Sequence, residues 1–126
     1  TTERDQVRDR DDRQLVLGLI QVESNFRKYA VSVAGARGYM QVMPFWSRLI
    51  GDGEPRRLFE MRSNLRYGTV ILRHYLDIEQ GDLFMALGRY NGSRGRPQYP
   101  NTVLAAWKSR WHYDAPARST QLAPKG

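Results

Sequence analysis

The sequence predicts an all-α fold, with at most a small β-hairpin near residues 37–43. Three observations carry this. Apolar residues recur at spacings of three and four in stretches that end near Phe26, Leu76 and Trp111. That is the period of a helix with one face turned inward. Helix punctuation separates the stretches, in Pro44, Gly81, Asp82 and Gly92. Only the short segment Tyr39–Met43 reads as a strand or extended turn.

Residues 1–13 alternate in sign from Glu3 to Arg13, with Asp9 and Arg13 at i,i+4. This predicts a solvated helical lead-in. It runs into a helix whose stripe is Leu15, Leu19, Val22 and Phe26. Gly35 and Gly38 bracket a compact loop over residues 27–38. Pro44 suits the first turn of a helix from Phe45 to about Ile50, because proline lacks the N–H that such a turn leaves unused. Gly51–Pro55 is a loop. Ser63 or Asn64 is placed to cap the next helix, which carries Leu65, Ile71, Leu72, Tyr75 and Leu76 and ends at Gly81. Asp82 caps a helix from Leu83 to about Asn91. Gly92–Pro97 is a loop, Pro100 marks a boundary, and Val103, Leu104, Trp107 and Trp111 make a final amphipathic helix. From Asp114 the chain has few anchors. The expected organisation is one compact domain over 1–113 and a flexible tail over 114–126, with no internal repeat.

Composition narrows the function. At 126 residues and 40% hydrophobic, the chain can bury one core. It has no apolar run of membrane-spanning length. It has no cysteine and only His74 and His112, neither in a ligand spacing, so no metal and no cofactor are expected. The opening Thr1-Thr-Glu-Arg-Asp has neither a leader pattern nor an initiating Met, which predicts a processed or excised domain. The net charge of +7 is lopsided. Residues 85–126 hold Arg89, Arg94, Arg96, Lys108, Arg110, Arg118 and Lys125 against the single acid Asp114. Such an end attracts a polyanion or serves as solubility charge. No nucleic-acid-binding motif accompanies it.

Glu23 stands out. It follows Leu19 by four and precedes Phe26 by three, so it shares the apolar face of its helix. A carboxyl group there loses hydration and holds its proton toward neutral pH, as a general acid must. The same position also suits a carboxylate reaching solvent or pairing with an arginine.

Four blocks then occur in order. They are Glu23-Ser24-Asn25-Phe26, Ser32-Val-Ala-Gly-Ala-Arg-Gly38-Tyr-Met-Gln41-Val-Met43-Pro44, Asn64-Leu-Arg-Tyr-Gly68 and Ala86-Leu-Gly-Arg-Tyr90-Asn91. As an ordered set over about residues 12–111, they resemble the catalytic domain of soluble-type lytic transglycosylases, a lysozyme-like family that cleaves peptidoglycan. The resemblance implies that Glu23 is the single catalytic acid/base. It implies that Ser24 and Ser32 line the cleft near the acid, and that Gln41 and Met43 contact the sugar chain. It gives Tyr90 the hydrogen bond to the catalytic carboxylate and makes Asn91 its cleft-facing neighbour. Asn64–Gly68 matches a structural block.

The residue types suit these roles. A phenol donating to Glu23 fixes its orientation and limits its pKa rise. Gln41 both donates and accepts, as an N-acetylated sugar requires. Each also has a plainer use: Tyr90 as a helix-end core aromatic, Gln41 as a loop brace, Met43 as packing.

The implied reaction breaks the bond between N-acetylmuramic acid and N-acetylglucosamine and closes a 1,6-anhydro ring. It uses one carboxyl group, and Asp52, Glu54, Glu60 and Asp82 all fall in loops or caps. A lysozyme-type hydrolase would need a second carboxylate near Glu23. A glycan-binding module without catalysis would need no acid. The resemblance places the chain in the periplasm or cell envelope, with peptidoglycan strands as partner and a larger envelope or secretion assembly as a further one. The chain departs from the family pattern at Tyr39, at Phe45-Trp46, at Arg89 and in the basic stretch Asn91–Gly95. Tyr39 can stack on a sugar or fill the core. Arg94 and Arg96 are expected near the cleft, facing muramyl lactyl or stem-peptide carboxylates.

Overall fold

The computed structural model describes residues 3–111, with side chains from 13 to 110. It has five α-helices: α1 Glu3–Ser24, α2 Phe45–Ile50, α3 Met61–Ile78, α4 Leu83–Asn91 and α5 Gln98–Ala106. A 3-10 turn, Pro55–Phe59, precedes α3, and α5 continues as a π-helical turn, Trp107–Trp111. The tail over 114–126, His112 and Asp9, the expected partner of Arg13, lie outside the described side chains. Among the described residues no helix is long and apolar enough to cross a membrane.

The all-α expectation holds. In place of a hairpin there are two isolated antiparallel bridges, Val31 with Arg37 and Arg37 with Val42. Arg37 and Val42 exchange both backbone hydrogen bonds, at 2.9 and 3.0 Å, around a four-residue turn. Gly38 and Gln41 bound that turn at φ +77° and +52°.

The core gathers Leu15, Leu19 and Ile20 of α1, Met40 and Val42 of the turn, Leu58, Ile71 and Leu72 of α3, Leu87 of α4 and Val103 of α5. α1 packs on α5 and its π-helical turn, and α4 lies between α3 and α5. Tyr39 is half-buried against this core. Trp46 is packed there too, edge-on to Tyr75 at 6.2 Å, and exposed Phe45 leans on its ring at 4.9 Å.

Three expected boundaries move. α1 stops at Ser24, two residues short, because Asn25 and Phe26 both take positive φ, +52° and +64°. Phe26 therefore leaves the stripe and is 41% exposed. α3 begins at Met61, so neither Ser63 nor Asn64 caps it. Asn64 lies inside the helix and is fully buried. α5 begins at Gln98, with Pro100 inside its first turn, where a missing N–H costs nothing. Asp82 does cap α4, its carboxylate accepting from the Met85 N–H at 3.1 Å.

Asn64 is the brace on which the turn hangs. Its Oδ1 accepts from the Met40 N–H at 2.7 Å. Its Nδ2 donates to the carbonyls of Arg37 and Leu58 at 2.9 and 2.8 Å. One buried amide thus satisfies the buried Met40 N–H and Leu58 carbonyl and adds a second bond to the Arg37 carbonyl. Gly68, one turn further along α3, lets Met40 lie against the helix. A Cβ there would stand 2.3 Å from the Met40 sulfur.

Candidate active site

Glu23 is the penultimate residue of α1. The Leu15, Leu19 and Ile20 face buries the helix, and the chain turns away at Asn25 and Phe26 just after the acid. The carboxyl group is left half-buried with little water around it. Burial pushes its pKa from 4.5 up to about 7.

One hydrogen bond opposes this. The Tyr99 hydroxyl donates to Glu23 Oε2, and that bond lowers the Glu23 pKa. Tyr99 lies in the first turn of α5, which packs on α1. Its own pKa is pushed far above the ordinary phenol value by burial and by the charge of Glu23, so it remains a donor at every working pH.

This revises the role expected of Tyr90. The Tyr90 hydroxyl donates to the Met40 carbonyl at 2.7 Å instead of to Glu23. Tyr90 still feels Glu23, whose charge helps raise its pKa, with burial the larger cause. With Asn64 on the Met40 N–H and Tyr90 on its C=O, both backbone polar groups of that residue are fixed.

The other expected residues separate into two groups. Asn91 is exposed, and its Nδ2 donates to Ser93 Oγ at 2.9 Å. With Ser93, Arg96, Gln98 and Tyr99 it lines a concavity of about 300 Å³, and Tyr99 is also the residue whose hydroxyl bonds Glu23. Ser24 does not line a cleft. It is 2% exposed, and its hydroxyl donates back to the Ile20 carbonyl at 3.2 Å. Helical periodicity turns residue 24 inward when residue 23 faces the edge.

Ser32 is half-buried and accepts from the Ala36 N–H at 3.0 Å, closing its own loop. Gln41 donates through Nε2 to the carbonyls of Ala30 and Gly38, at 3.2 and 3.0 Å, as a loop brace would. Met43 is half-buried ahead of α2. Among the described residues no hydrogen bond joins Ser32, Gln41 or Met43 to Glu23.

Arg94 is not turned to the cleft. Glu79, at the C-cap of α3, accepts from Arg89 Nε and Arg94 Nε through one oxygen and from Arg94 through the other at 3.0 Å. The two guanidinium groups hold the Glu79 pKa down at about 2. Arg96 is exposed, and its side chain makes no hydrogen bond or ion pair among the described residues.

No second carboxylate stands beside Glu23 among the described residues. Asp52 pairs with Arg57 at 3.2 Å and Glu54 with Arg56 at 3.7 Å. Glu60 accepts from Ser63, Asp82 caps α4, and Glu79 is held by its arginines. Asp77 lies on exposed α3 near Gln80 and Leu83. Burial and Tyr99 are the influences on the Glu23 pKa, and neither is a like charge.

Tyr99, the hydrogen-bond partner of Glu23, is the candidate site residue missed in the sequence. It stands four before Val103 and eight before Trp107, which places it on the buried face of α5.

A small helical domain thus carries one carboxyl group that holds its proton toward neutral pH and is bonded to the phenol of Tyr99. The sequence profile of the transglycosylase SLT domain matches residues 2–106. The chain belongs to that family.

A membrane-bound lytic murein transglycosylase C of Histophilus somni is 35% identical over 99 residues, covering 67% of this chain and 27% of that protein. A transglycosylase of Enterobacteria phage PRD1 is 32% identical over 100 residues, covering 74% of this chain and 36% of its own. The 70 kDa soluble lytic transglycosylase of Escherichia coli shares the fold, with a TM-score of 0.57 at 22% identity. It covers 77% of this chain and 16% of its own. The chain thus spans about a quarter to a third of the length of these curated relatives.

Proposed function

We propose that this chain is a peptidoglycan lytic transglycosylase that cleaves the β-1,4 bond between N-acetylmuramic acid and N-acetylglucosamine and leaves 1,6-anhydro-muramyl ends. The observation that carries this is the state of Glu23: a carboxyl group raised to about 7, held by one phenol, with no other carboxylate beside it among the described residues. Membership of the family and the names of its relatives support the substrate.

The reaction follows from that inventory. Protonated Glu23 gives its proton to the glycosidic oxygen, and the bond to the anomeric carbon breaks. The departing sugar carries the proton away as a hydroxyl group. Positive charge on the remaining ring is relieved by the substrate's own N-acetyl oxygen. Glu23, now a carboxylate, accepts the proton of the C6 hydroxyl, whose oxygen closes on the anomeric carbon. The acid is regenerated and no water is consumed. A nucleophile within the same sugar needs no second carboxylate to activate water, and its proximity lowers the entropic part of the barrier.

Tyr99 holds the group in place through both half-reactions, stabilising the carboxylate that forms midway. Asn91, Ser93 and Gln98 supply donors and acceptors for sugar hydroxyl and amide groups. Gln41 and Met43 reach the glycan from the braced turn. Such a substrate places the protein in the periplasm or cell envelope, and a larger wall-associated assembly is its expected setting.

Product analysis of digested peptidoglycan tests the reading, with Glu23→Gln as control. A lysozyme-type hydrolase would give reducing ends, and a binding module would give no fragments.

A further inference from the structure

Two arginines stand two residues apart in the loop after α4, and the fold treats them oppositely. Arg94 is drawn to Glu79 by two hydrogen bonds, and Arg89 joins it from α4. The Glu79 side chain is only 8% exposed beneath the two guanidinium groups. Arg96 has no such partner among the described residues and opens into the concavity of Asn91, Ser93, Gln98 and Tyr99.

The backbone beneath Arg96 is well braced. Gly92 turns the chain at φ +81°, and the Ser93 N–H donates to the Gly88 carbonyl at 2.7 Å. The Arg96 N–H donates to the Ser93 carbonyl at 3.0 Å. Gly88 lets the loop lie directly on α4, since a Cβ there would stand 2.8 Å from the Arg94 Cα. The Glu79 clamp closes the other side. A guanidinium carried on so fixed a loop loses less freedom when it binds than one on a loose chain. Its planar fork matches a carboxylate.

We propose that Arg96 is a specificity-determining residue that reads a carboxylate of the substrate, and that Glu79 positions it by holding the loop through Arg94. The proposal rests on the peptidoglycan reading above. Two carboxylates on that polymer have the right chemistry: those of the stem peptide, and the muramyl lactyl group once its peptide is removed. Uncharged sugar groups do not call for a guanidinium.

Binding of soluble glycan strands to the Glu23→Gln protein, which leaves strands intact, tests this. Three preparations separate the sources: peptide-bearing strands, strands stripped by an amidase so that only lactyl carboxylates remain, and stripped strands whose carboxylates are methyl-esterified. Adding Arg96→Ala is expected to weaken binding of a carboxylate-bearing preparation about tenfold and to leave the esterified strands unchanged. Loss on peptide-bearing strands alone assigns the stem peptide, and loss on stripped strands assigns the lactyl group. Arg96→Lys should restore only part of the affinity, because an ammonium cannot form the paired contact.

Glu79→Gln should weaken the same preparation, and melting curves will show whether the fold survives. Equal affinity of Arg96→Ala and its parent for all three preparations overturns the proposal, as does equal loss on all three. If the Arg96-intact protein binds none of them, the peptidoglycan reading falls first and this one with it.

Discussion

At Glu23 burial and a hydrogen bond pull in opposite directions, and burial wins. Removing the weaker one has a predictable sign. Tyr99→Phe takes away a bond that favours the carboxylate, so the Glu23 pKa should rise beyond about 7. The alkaline limb of the pH–rate profile should move upward, with kcat reduced about 10- to 100-fold. An unmoved limb would remove Tyr99 from the site. Stability follows the same group. The folded pKa of about 7 lies above the unfolded 4.5, so the folded state binds the extra proton between them. Wild-type stability should therefore fall as pH rises from 4.5 to 7, while Glu23→Gln avoids that loss. Thermal melts should agree below pH 4.5 and favour the variant above pH 7, by at most a few kcal/mol at about 1.4 kcal/mol per pKa unit. Glu23 was legible because its spacing to Leu19 put a charge on an apolar stripe. The partner of Tyr90 was not, because a backbone carbonyl fifty residues away leaves no mark in sequence spacing.

At the scale of elements, Asn64 of α3 braces the turn at 37–42 together with Tyr90 of α4, and Glu79, at the C-cap of α3, clamps the loop at 92–97. Asn64→Ala would take the side-chain partner from the Met40 N–H and the Leu58 carbonyl, while the Arg37 carbonyl keeps the Val42 N–H. At about 1–3 kcal/mol for each unsatisfied group, a loss of about 2 kcal/mol or more is expected in chemical denaturation. A loss below about 1 kcal/mol would show that water replaces the amide. The Glu79 clamp predicts an acid limb. Its folded pKa of about 2 lies below the unfolded 4.5, so its contribution is complete above pH 4.5 and lost as pH falls through 2. The melting-temperature gap between wild type and Glu79→Gln should shrink over that window and stay constant above it. Helices were readable here because their stripes and breakers are local: Asp82 caps α4, and α4 ends at Asn91 before Gly92. The Asn64 cap was misread because a polar residue near a helix start is an ordinary capping signal. Only the tertiary fold reveals that it braces a turn 24 residues away.

On the scale of the whole molecule, the helices supply a rigid frame and the chemistry sits where α1, α4 and α5 come together. The basic end of the chain is less free than its count suggests. Arg89 and Arg94 are spent on Glu79, and the reach toward a polyanion narrows to residues such as Arg96. The charge asymmetry was visible in the sequence, but which arginines remain available depends on where α3 ends. The central claim is that one carboxyl group acts as acid and then as base, with the substrate supplying its own nucleophile. Mass analysis of fragments from purified peptidoglycan tests this most directly. The account predicts 1,6-anhydro-muramyl ends, about 18 Da lighter than reducing ends through the missing water, and no fragments with Glu23→Gln. Reducing-end fragments alone, or undiminished cleavage by Glu23→Gln, would contradict it.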